Sequence, residues 1–222
     1  KALFIKPHYA EAYNNKGNAL QEQGELEAAI EAYSKALEYK PDYVEAHYNM
    51  GDSLKEQSKL EGAIEAYNKA IAIKPDYAQA YNNMGNTLQE QGKLEAAIQA
   101  YDKAITIKPD YALAYTNMCV ALKGIIFTKP SAHWQGVITS ILDHKTYVRP
   151  KYISPAAISL LKFEPTIKNL SSEHAQGNLG QAFKKTVLAL SDMPLLLRLM
   201  SVCPLADLEL EVVFTTIRSR LL

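Results

Sequence analysis

Residues Ala78–Tyr111 read AQAYNNMGNTLQEQGKLEAAIQAYDKAITIKPDY, and the rest of the N-terminal half repeats this pattern. The same pattern occurs 34 residues earlier as Val44–Tyr77, and once more as Ala10–Tyr43. Four prolines keep this spacing of 34 residues: Pro7, Pro41, Pro75 and Pro109. A period of this length is typical of stacked supersecondary units rather than of a single globular core.

Each unit is predicted to be a pair of helices. An apolar stripe with the spacing i, i+3, i+4 and i+7 marks the first helix: Tyr81, Met84, Gly85 and Leu88. The stripe resumes from Leu94 to Ile105, after Gly92 has interrupted it, and Pro109 ends the second helix. Because a lone pair of helices cannot bury its apolar stripe, neighbouring units must stack.

This pattern resembles the tetratricopeptide repeat (TPR). The large aromatic position of the family is matched by Tyr13, His47, Tyr81 and Tyr115, and its glycine by Gly17, Gly51 and Gly85. The later alanine, aromatic and alanine positions are matched by Ala97, Tyr101, Ala104 and their equivalents. The resemblance implies an all-α fold, a right-handed superhelix with full repeats at 10–43, 44–77 and 78–111 and partial repeats at 1–9 and 112–124. The repeat consensus is also similar to that of O-linked N-acetylglucosamine transferases.

The period is lost after Lys123, where a glycine and then an irregular sequence replace the expected turn. We therefore predict a domain boundary near Gly124, with a TPR array over 1–124 and an irregular all-helical extension over 125–222. Leu113 and Val120 are apolar at positions that are polar in earlier repeats. We expect the extension to cover them and so to cap the array.

The extension is predicted to contain several helices, which proline and serine residues delimit. These segments are Ala132–Leu142 with Ser131 as its cap, Ala156–Phe163 after Ser154-Pro155, Pro165–Leu170, Gln181–Leu190, Leu195–Val202 and Asp207–Leu222. Residues 171–180 are predicted to be a loop.

The extension also resembles a helical region of some bacterial proteins, where it lies between TPR repeats and a class I S-adenosylmethionine-dependent methyltransferase domain. The segments that carry this resemblance are Tyr147–Pro150, Ser159–Lys162 and Cys203–Glu209. It implies a larger transferase, a methyltransferase first and a glycosyltransferase next, whose catalytic domain lies beyond Leu222. Lys1–Lys6 matches the tail of a second helix, so we expect a fragment of a longer array, with self-association through its cut ends as an alternative.

Composition argues against several classes of function. The net charge of the chain is zero, which gives no basis for nucleic-acid binding. Residues 1–124 carry 13 Lys against 17 acidic residues, and the remainder has the opposite balance. Cys119 and Cys203 form no CxxC motif, so we expect a reducing, cytoplasmic location. No segment predicts a membrane span, a metal site, a cofactor loop or a catalytic group, so this chain is not expected to be an enzyme itself.

The remaining polar pattern lies on the first helices, whose open side lines a concave groove in the family that the chain resembles. The predicted peptide-binding residues are Asn14, Asn15, Asn18, Tyr48, Asn49, Asp52, Lys55, Asn82, Asn83, Asn86, Gln89 and Asn117. Among them Asn15, Asn49, Asn83 and Asn117 recur at 34-residue spacing. Such amides can bind the main chain of an extended peptide, or they can only bond to neighbouring helices.

The charges at the groove positions limit the class of ligand that fits. The groove positions carry six acids against two bases, and the acids are Glu11, Glu22, Glu45, Asp52, Glu56 and Glu90. Because Lys55 and Lys123 are the only bases, a carboxylate ligand is disfavoured and a neutral or basic segment fits better. The sequence thus predicts a protein–protein interaction module that binds an extended peptide or partner protein.

Overall fold

The computed structural model describes residues 6–143, 150–175 and 193–202, and the regular elements within these residues are all helices. In chain order they are α1 (Lys6–Glu22), α2 (Leu26–Tyr39), α3 (Val44–Glu56), α4 (Leu60–Ile73), α5 (Ala78–Glu90), α6 (Leu94–Ile107), α7 (Ala112–Lys123), α8 (Ala132–Asp143), α9 (Pro150–Leu161), α10 (Pro165–Ala175) and α11 (Pro194–Val202). The all-α prediction is confirmed for this part of the chain.

The chain divides into two compact units, Lys1–Met118 and Cys119–Leu222. The division falls inside α7, which itself ends at Lys123. The predicted boundary near Gly124 marks the end of that helix, and the domain limits of 1–124 and 125–222 stay a prediction.

The first unit is built from helical hairpins. Helices α1 and α2, α3 and α4, and α5 and α6 pack as pairs, and α2 with α3 and α4 with α5 join consecutive pairs. The tyrosines Tyr33, Tyr67 and Tyr101 are fully buried, each against the glycine of the preceding helix. Since a glycine has no side chain, the aromatic ring can approach the backbone closely, which explains the small residue at this position.

The turn inside each hairpin follows the predicted glycine chemistry, with one exception. Gly24 and Gly92 have positive φ angles of 77° and 74°, and the equivalent residue in the second repeat is Ser58, with φ of 60°. After this turn, the Lys59 N–H donates to the Leu54 carbonyl and the Lys93 N–H donates to the Leu88 carbonyl, each five residues earlier, at 2.9 Å. These bonds satisfy the last carbonyls of α3 and α5.

The start of the array differs from the expectation. Pro41, Pro75 and Pro109 lie in turns between helices, whereas Pro7 lies in the first turn of α1, which begins at Lys6. The prediction that Pro7 closes a partial repeat at 1–9 is therefore wrong for residues 6–9. Proline is tolerated in the first turn of a helix because its missing N–H would have no partner there.

The second unit confirms two of the predicted helix starts and corrects another. The Trp134 N–H donates to Ser131 Oγ at 3.3 Å, so Ser131 caps α8 as predicted, and α11 begins at Pro194. However, α9 starts at Pro150 and includes Pro155, which was expected to open that helix. Burial of Ala156, Ala157 and Leu160 on the same helix compensates for the hydrogen bond that the proline ring removes.

Helix α10 continues to Ala175, although a loop was predicted from residue 171. Serine lowers helix propensity without breaking a helix, so Ser171 and Ser172 are accommodated within α10. The helices predicted at Gln181–Leu190 and Asp207–Leu222, together with Tyr147–Arg149 and Cys203–Glu209 of the second resemblance, lie outside the described residues.

Near the start of this unit, Phe127 contacts Trp134 with a ring separation of 5.7 Å, and its N–H donates to Ser159 Oγ at 2.9 Å. A pocket of about 400 Å³ lies beside Pro155, with Ile126 and Phe127 among its lining residues. This pocket is mostly apolar.

Candidate functional site

We call the recurring asparagines Asn15, Asn49, Asn83 and Asn117 the amide column, and the last three of them connect consecutive repeats. Asn49 Nδ2 on α3 donates to Asn14 Oδ1 at 3.1 Å and to Asn18 Oδ1 at 3.0 Å on α1. One repeat further on, Asn83 Nδ2 donates to Tyr48 Oη and Asp52 Oδ1, both at 2.8 Å. Of the two roles predicted for these amides, bonding to a neighbouring helix is thus realised by their nitrogen atoms.

We call these hydrogen bonds between the first helices of consecutive repeats a joint. The same joint recurs between α5 and α7. Asn117 Nδ2 donates to Asn82 Oδ1 at 3.1 Å. In each case the donor reaches back to the first helix of the preceding repeat. The orientation of the amide at Asn83 follows from chemistry, since the carboxylate of Asp52 can only accept a hydrogen bond and must face the nitrogen.

Two predicted binding residues are buried, which corrects their placement on the open side of the first helices. Asn14 is 4% exposed and Asn82 is fully buried. A helical wheel of one repeat shows the stripe that packs within the hairpin, but the first helix also contacts the first helix of the next repeat. Asn14 and Asn82 lie on this second contact surface, so their amides serve the joint.

A second set of predicted residues accepts hydrogen bonds from buried tyrosine hydroxyls. Tyr67 Oη donates to Asp52 Oδ1 at 2.6 Å, and Tyr101 Oη donates to Asn86 Oδ1 at 2.8 Å and to Gln89 Oε1 at 3.3 Å. The first repeat has the same bond to Asn18, at 2.9 Å. These bonds tie the second helix of each hairpin to the open side of its first helix.

Sequence reasoning missed the hydroxyl donors, because it identified Tyr101 and its equivalents Tyr33 and Tyr67 only as matches to a repeat position. Their side chains are buried, and their hydroxyls donate to polar residues of the first helix. The signal was present, because each of these tyrosines follows an asparagine or aspartate at a constant spacing of 15 residues. A buried tyrosine hydroxyl needs a polar partner, and this spacing identifies it.

Asp52 is the charged residue among these acceptors of tyrosine hydroxyls, and it has an unusual environment. Burial raises the pKa of its carboxyl above the ordinary value, while hydrogen bonds from Tyr67, Asn83 and Tyr48 oppose that change. The Asp52 charge in turn helps to raise the pKa of Tyr33 to about 12 and that of Tyr77 to about 12, although burial is the larger cause for both. Lys55 Nζ lies 3.5 Å from Glu90 Oε1.

Other predicted residues remain accessible. Asn15 is exposed, and Lys55, Asn86 and Gln89 are half-buried. Leu113 and Val120 are 52% and 47% exposed. Single exposed apolar side chains are common on protein surfaces. The expectation that the extension caps the array stays a prediction.

The described residues also lack the features of other sites. In residues 6–143, 150–175 and 193–202 no group of three or more His, Cys, Asp or Glu side chains is placed to hold a metal ion. Within the same ranges no helix is long and apolar enough to cross a membrane. His47, at the aromatic position of the second repeat, is buried, and its Nε2 lies 2.8 Å from the Pro41 carbonyl oxygen.

The repeat geometry defines the class of this region. A family model described as TPR repeat matches residues 17–58 and 51–92, and one described as tetratricopeptide repeat matches residues 78–111. Residues 17–111 are therefore TPR repeats. No curated protein matches the chain.

Several solved structures share the fold. The crystal structure of MamA is 27% identical, with a TM-score of 0.53 over 72% of this chain and 84% of that chain. The Arabidopsis OM64 TPR domain is 20% identical, with a TM-score of 0.52 over 54% of this chain and 99% of that one. A mutant of the Thermobaculum terrenum O-GlcNAc transferase is 23% identical, with a TM-score of 0.51 over 63% of this chain and 26% of the transferase. The resemblance of the second unit to a methyltransferase-linked region stays a prediction.

Proposed function

We propose that the repeat array is a protein–protein interaction module that binds an extended peptide segment along its first-helix face. By first-helix face we mean the surface formed by the amide column and the neighbouring exposed residues of α1, α3, α5 and α7. The observation that carries the proposal is the fixed orientation of the amide column. The nitrogen atoms of Asn49, Asn83 and Asn117 are engaged by the preceding repeat, so the oxygens of these three amides are held in place as acceptors.

The available acceptors match the main chain of a peptide. Among the described residues, no donor is assigned to Oδ1 of Asn49 or Asn117, whereas Asn83 Oδ1 accepts one bond from Asn82 Nδ2 at 3.2 Å. An amide oxygen has two lone pairs, so each can accept a backbone N–H from a ligand. This refines the sequence-based idea, because the column offers acceptors and keeps its donors for the joints.

The charge of the face favours a neutral or basic segment. Glu11, Glu22 and Glu45 are exposed on α1 and α3, while Lys55 is close to Glu90. Acidic side chains around a peptide attract basic partners and repel acidic ones, which affects association rate and selectivity. A terminal carboxylate would meet few cations on this face.

The test uses Asn15, the member of the column that makes no hydrogen bond to another described residue. A short peptide is first selected from a displayed random library, and its affinity is measured by fluorescence anisotropy. Asn15→Ala is expected to weaken binding about fivefold, since one hydrogen bond is worth about 1 kcal/mol. The matched control is Asn68→Ala, which removes an exposed amide from the second helix α4.

Both variants are expected to unfold at the wild-type temperature, so a difference in affinity reports on the ligand. If no peptide is selected, or if Asn15→Ala and Asn68→Ala bind equally well, the proposal is wrong. Asn83→Ala is unsuitable as the first test, because it removes the donor to Asp52 and Tyr48 and so lowers stability as well.

The alternative remains that the array recruits a protein substrate for a larger transferase, with a methyltransferase domain beyond Leu222. It shares the same binding face and differs in what the parent protein does. The reading frame downstream of Leu222 tests it, since a methyltransferase requires a glycine-rich cofactor motif there and its absence would remove the alternative.

A further inference from the structure

The second repeat departs from its neighbours at two positions on the first-helix face. Where repeats 1 and 3 have asparagine at both, α3 has Tyr48 and Asp52. Residues four apart in a helix are neighbours on one face, so the two departures form one local site. The other repeats serve as an internal comparison for what the fold itself needs there.

The fold does not need the negative charge of Asp52. Tyr67 Oη donates to Asp52 Oδ1, and the equivalent Tyr101 Oη donates to the neutral amide oxygen of Asn86. The joint between repeats does not need the negative charge either, because Asn49 donates to two neutral amide oxygens of the first repeat. An asparagine at position 52 would therefore accept the bonds of Tyr67 and Asn83.

The charge also lacks a direct cationic partner in the part of the chain that the structure describes. The groups that hydrogen-bond to the carboxylate are neutral: the Tyr67 hydroxyl, the Asn83 amide and the Tyr48 hydroxyl. Lys55 acts on it only through the electrostatic field, and its ammonium group lies beside Glu90. A partly buried carboxylate with only neutral donors is costly unless a cation is supplied from elsewhere.

The aromatic rings around Asp52 suit a cation as well. The Tyr48 ring centroid is 5.1 Å from that of Tyr77 and 6.0 Å from that of Tyr67. Aromatic faces attract ammonium and guanidinium groups, most strongly where water is partly excluded. A carboxylate can accept about four hydrogen bonds, and three neutral donors leave room for one more.

We propose that Asp52 and Tyr48 select the bound segment by taking a lysine or arginine side chain of the peptide, whose N–H donates to the Asp52 carboxylate beside the Tyr48 ring. This inference rests on the proposed peptide-binding function and adds the chemistry of one side chain. The second repeat thereby sets the register of a peptide whose main chain the amide column holds.

The experiment compares peptides selected from a displayed random library by the wild-type chain and by two variants. Asp52→Asn gives the second repeat the residue of its neighbours, and Asn86→Asp moves the charge to the third repeat. Wild-type selection is expected to enrich lysine or arginine at one peptide position. Asp52→Asn is expected to lose that enrichment and to bind a wild-type-selected peptide roughly tenfold or more weakly, as for a charge-assisted hydrogen bond.

Asn86→Asp is the gain-of-function arm, because it is expected to add a second cationic position to the selected peptides. Replacing the selected lysine of the peptide with norleucine is expected to weaken wild-type binding and to leave Asp52→Asn binding unchanged. A circular dichroism melt of each variant, as cooperative as that of the wild type, shows that altered selection does not reflect unfolding.

The outcomes separate this inference from the proposed function. If the wild type selects peptides without a cationic position, or if Asp52→Asn retains the enrichment, the role of Asp52 is overturned while peptide binding stands. If the wild type selects no peptide at all, the proposed function fails and this inference fails with it.

Discussion

Gly85→Ala is expected to destabilise the repeat array by about 2 kcal/mol, although alanine normally stabilises a helix. A Cβ atom at position 85 would lie 2.5 Å from Cε1, 2.7 Å from Cδ1 and 3.0 Å from Cζ of Tyr101. Side-chain atoms do not approach this closely, so either the ring or α5 must move. The effect therefore measures how firmly Tyr101 is held.

The ring has little freedom to move. Tyr101 is fully buried, and its hydroxyl donates to Asn86 Oδ1 at 2.8 Å. Forcing an extra methyl group into a packed core costs about 1–3 kcal/mol, and we take the upper end because the ring is held at both ends. Alanine recovers about 1 kcal/mol of helix propensity over glycine, which leaves a net loss of about 2 kcal/mol.

Gly62 provides the matched control, since it is also a glycine within a helix of the array. A Cβ there would lie 3.5 Å from Leu54 Cδ1, an ordinary contact. Gly62→Ala is therefore expected to stabilise the chain by about 0.5–1 kcal/mol through helix propensity alone. Urea denaturation followed by circular dichroism measures both variants against the wild type, with the denaturant dependence of the free energy checked for each.

A double-mutant cycle with Tyr101→Leu tests the cause. The smaller side chain makes room, so Gly85→Ala is expected to become nearly neutral in that background. The reasoning fails if Gly85→Ala is as stable as the wild type, or if its cost is the same with leucine at position 101.

Three further expectations concern backbone strain and ionisation. Ser58→Gly is expected to stabilise the chain by about 1 kcal/mol because Ser58 has a φ of 60°, and Gly24→Ala is expected to destabilise it at the equivalent turn; thermal melts compare them. Burial raises the pKa of Asp52 above its ordinary value of 3.8, so its contribution to stability is present below pH 3.8 and is lost as the pH rises through the pKa of the folded state. Asp52→Asn is therefore expected to be more stable than the wild type at neutral pH. The difference in unfolding free energy between the two is expected to shrink in acid. The pKa of Tyr33 and that of Tyr77, each raised from 10.0 to about 12, predict that stability falls from pH 10 upward, as measured by alkaline titration of circular dichroism and tyrosinate absorbance.

Each of these expectations has a contrary result. A Ser58→Gly variant no more stable than the wild type would show that the serine turn carries no strain. A stability difference for Asp52→Asn that stays constant down to low pH would mean that the carboxylate bears no burial cost. Tyrosines that ionise together near pH 10 without unfolding would show that their hydroxyls are not held.

The regular part of the fold was predictable because it rests on local rules repeated in register. The positions of Gly85, Tyr101 and Pro109 each have one physical reason, and 34-residue spacing repeats that reason along the chain. Where the period ends, single residues were less informative. Pro155 was expected to open a helix, yet burial of Ala156 and Ala157 keeps it inside α9.

The candidate site was only partly predictable, since a helical wheel describes one helix and not its neighbours along the stack. The wheel placed Asn82 on the open side, whereas the joint with Asn117 buries it. Spacing alone identified the amide column but could not assign its donors and acceptors. That assignment depends on which atoms of consecutive repeats meet, and the carboxylate of Asp52 resolves it for Asn83.

The joints between repeats have a consequence for how such an array can change in length. Each joint pairs an amide N–H donor of one repeat with an oxygen acceptor on the repeat before it. That oxygen belongs to an amide, a phenol or a carboxylate. Any copy is thus chemically compatible with any other as its successor. Duplication or excision of one 34-residue unit during evolution would leave every remaining junction intact, so the number of units can vary without inventing a new interface.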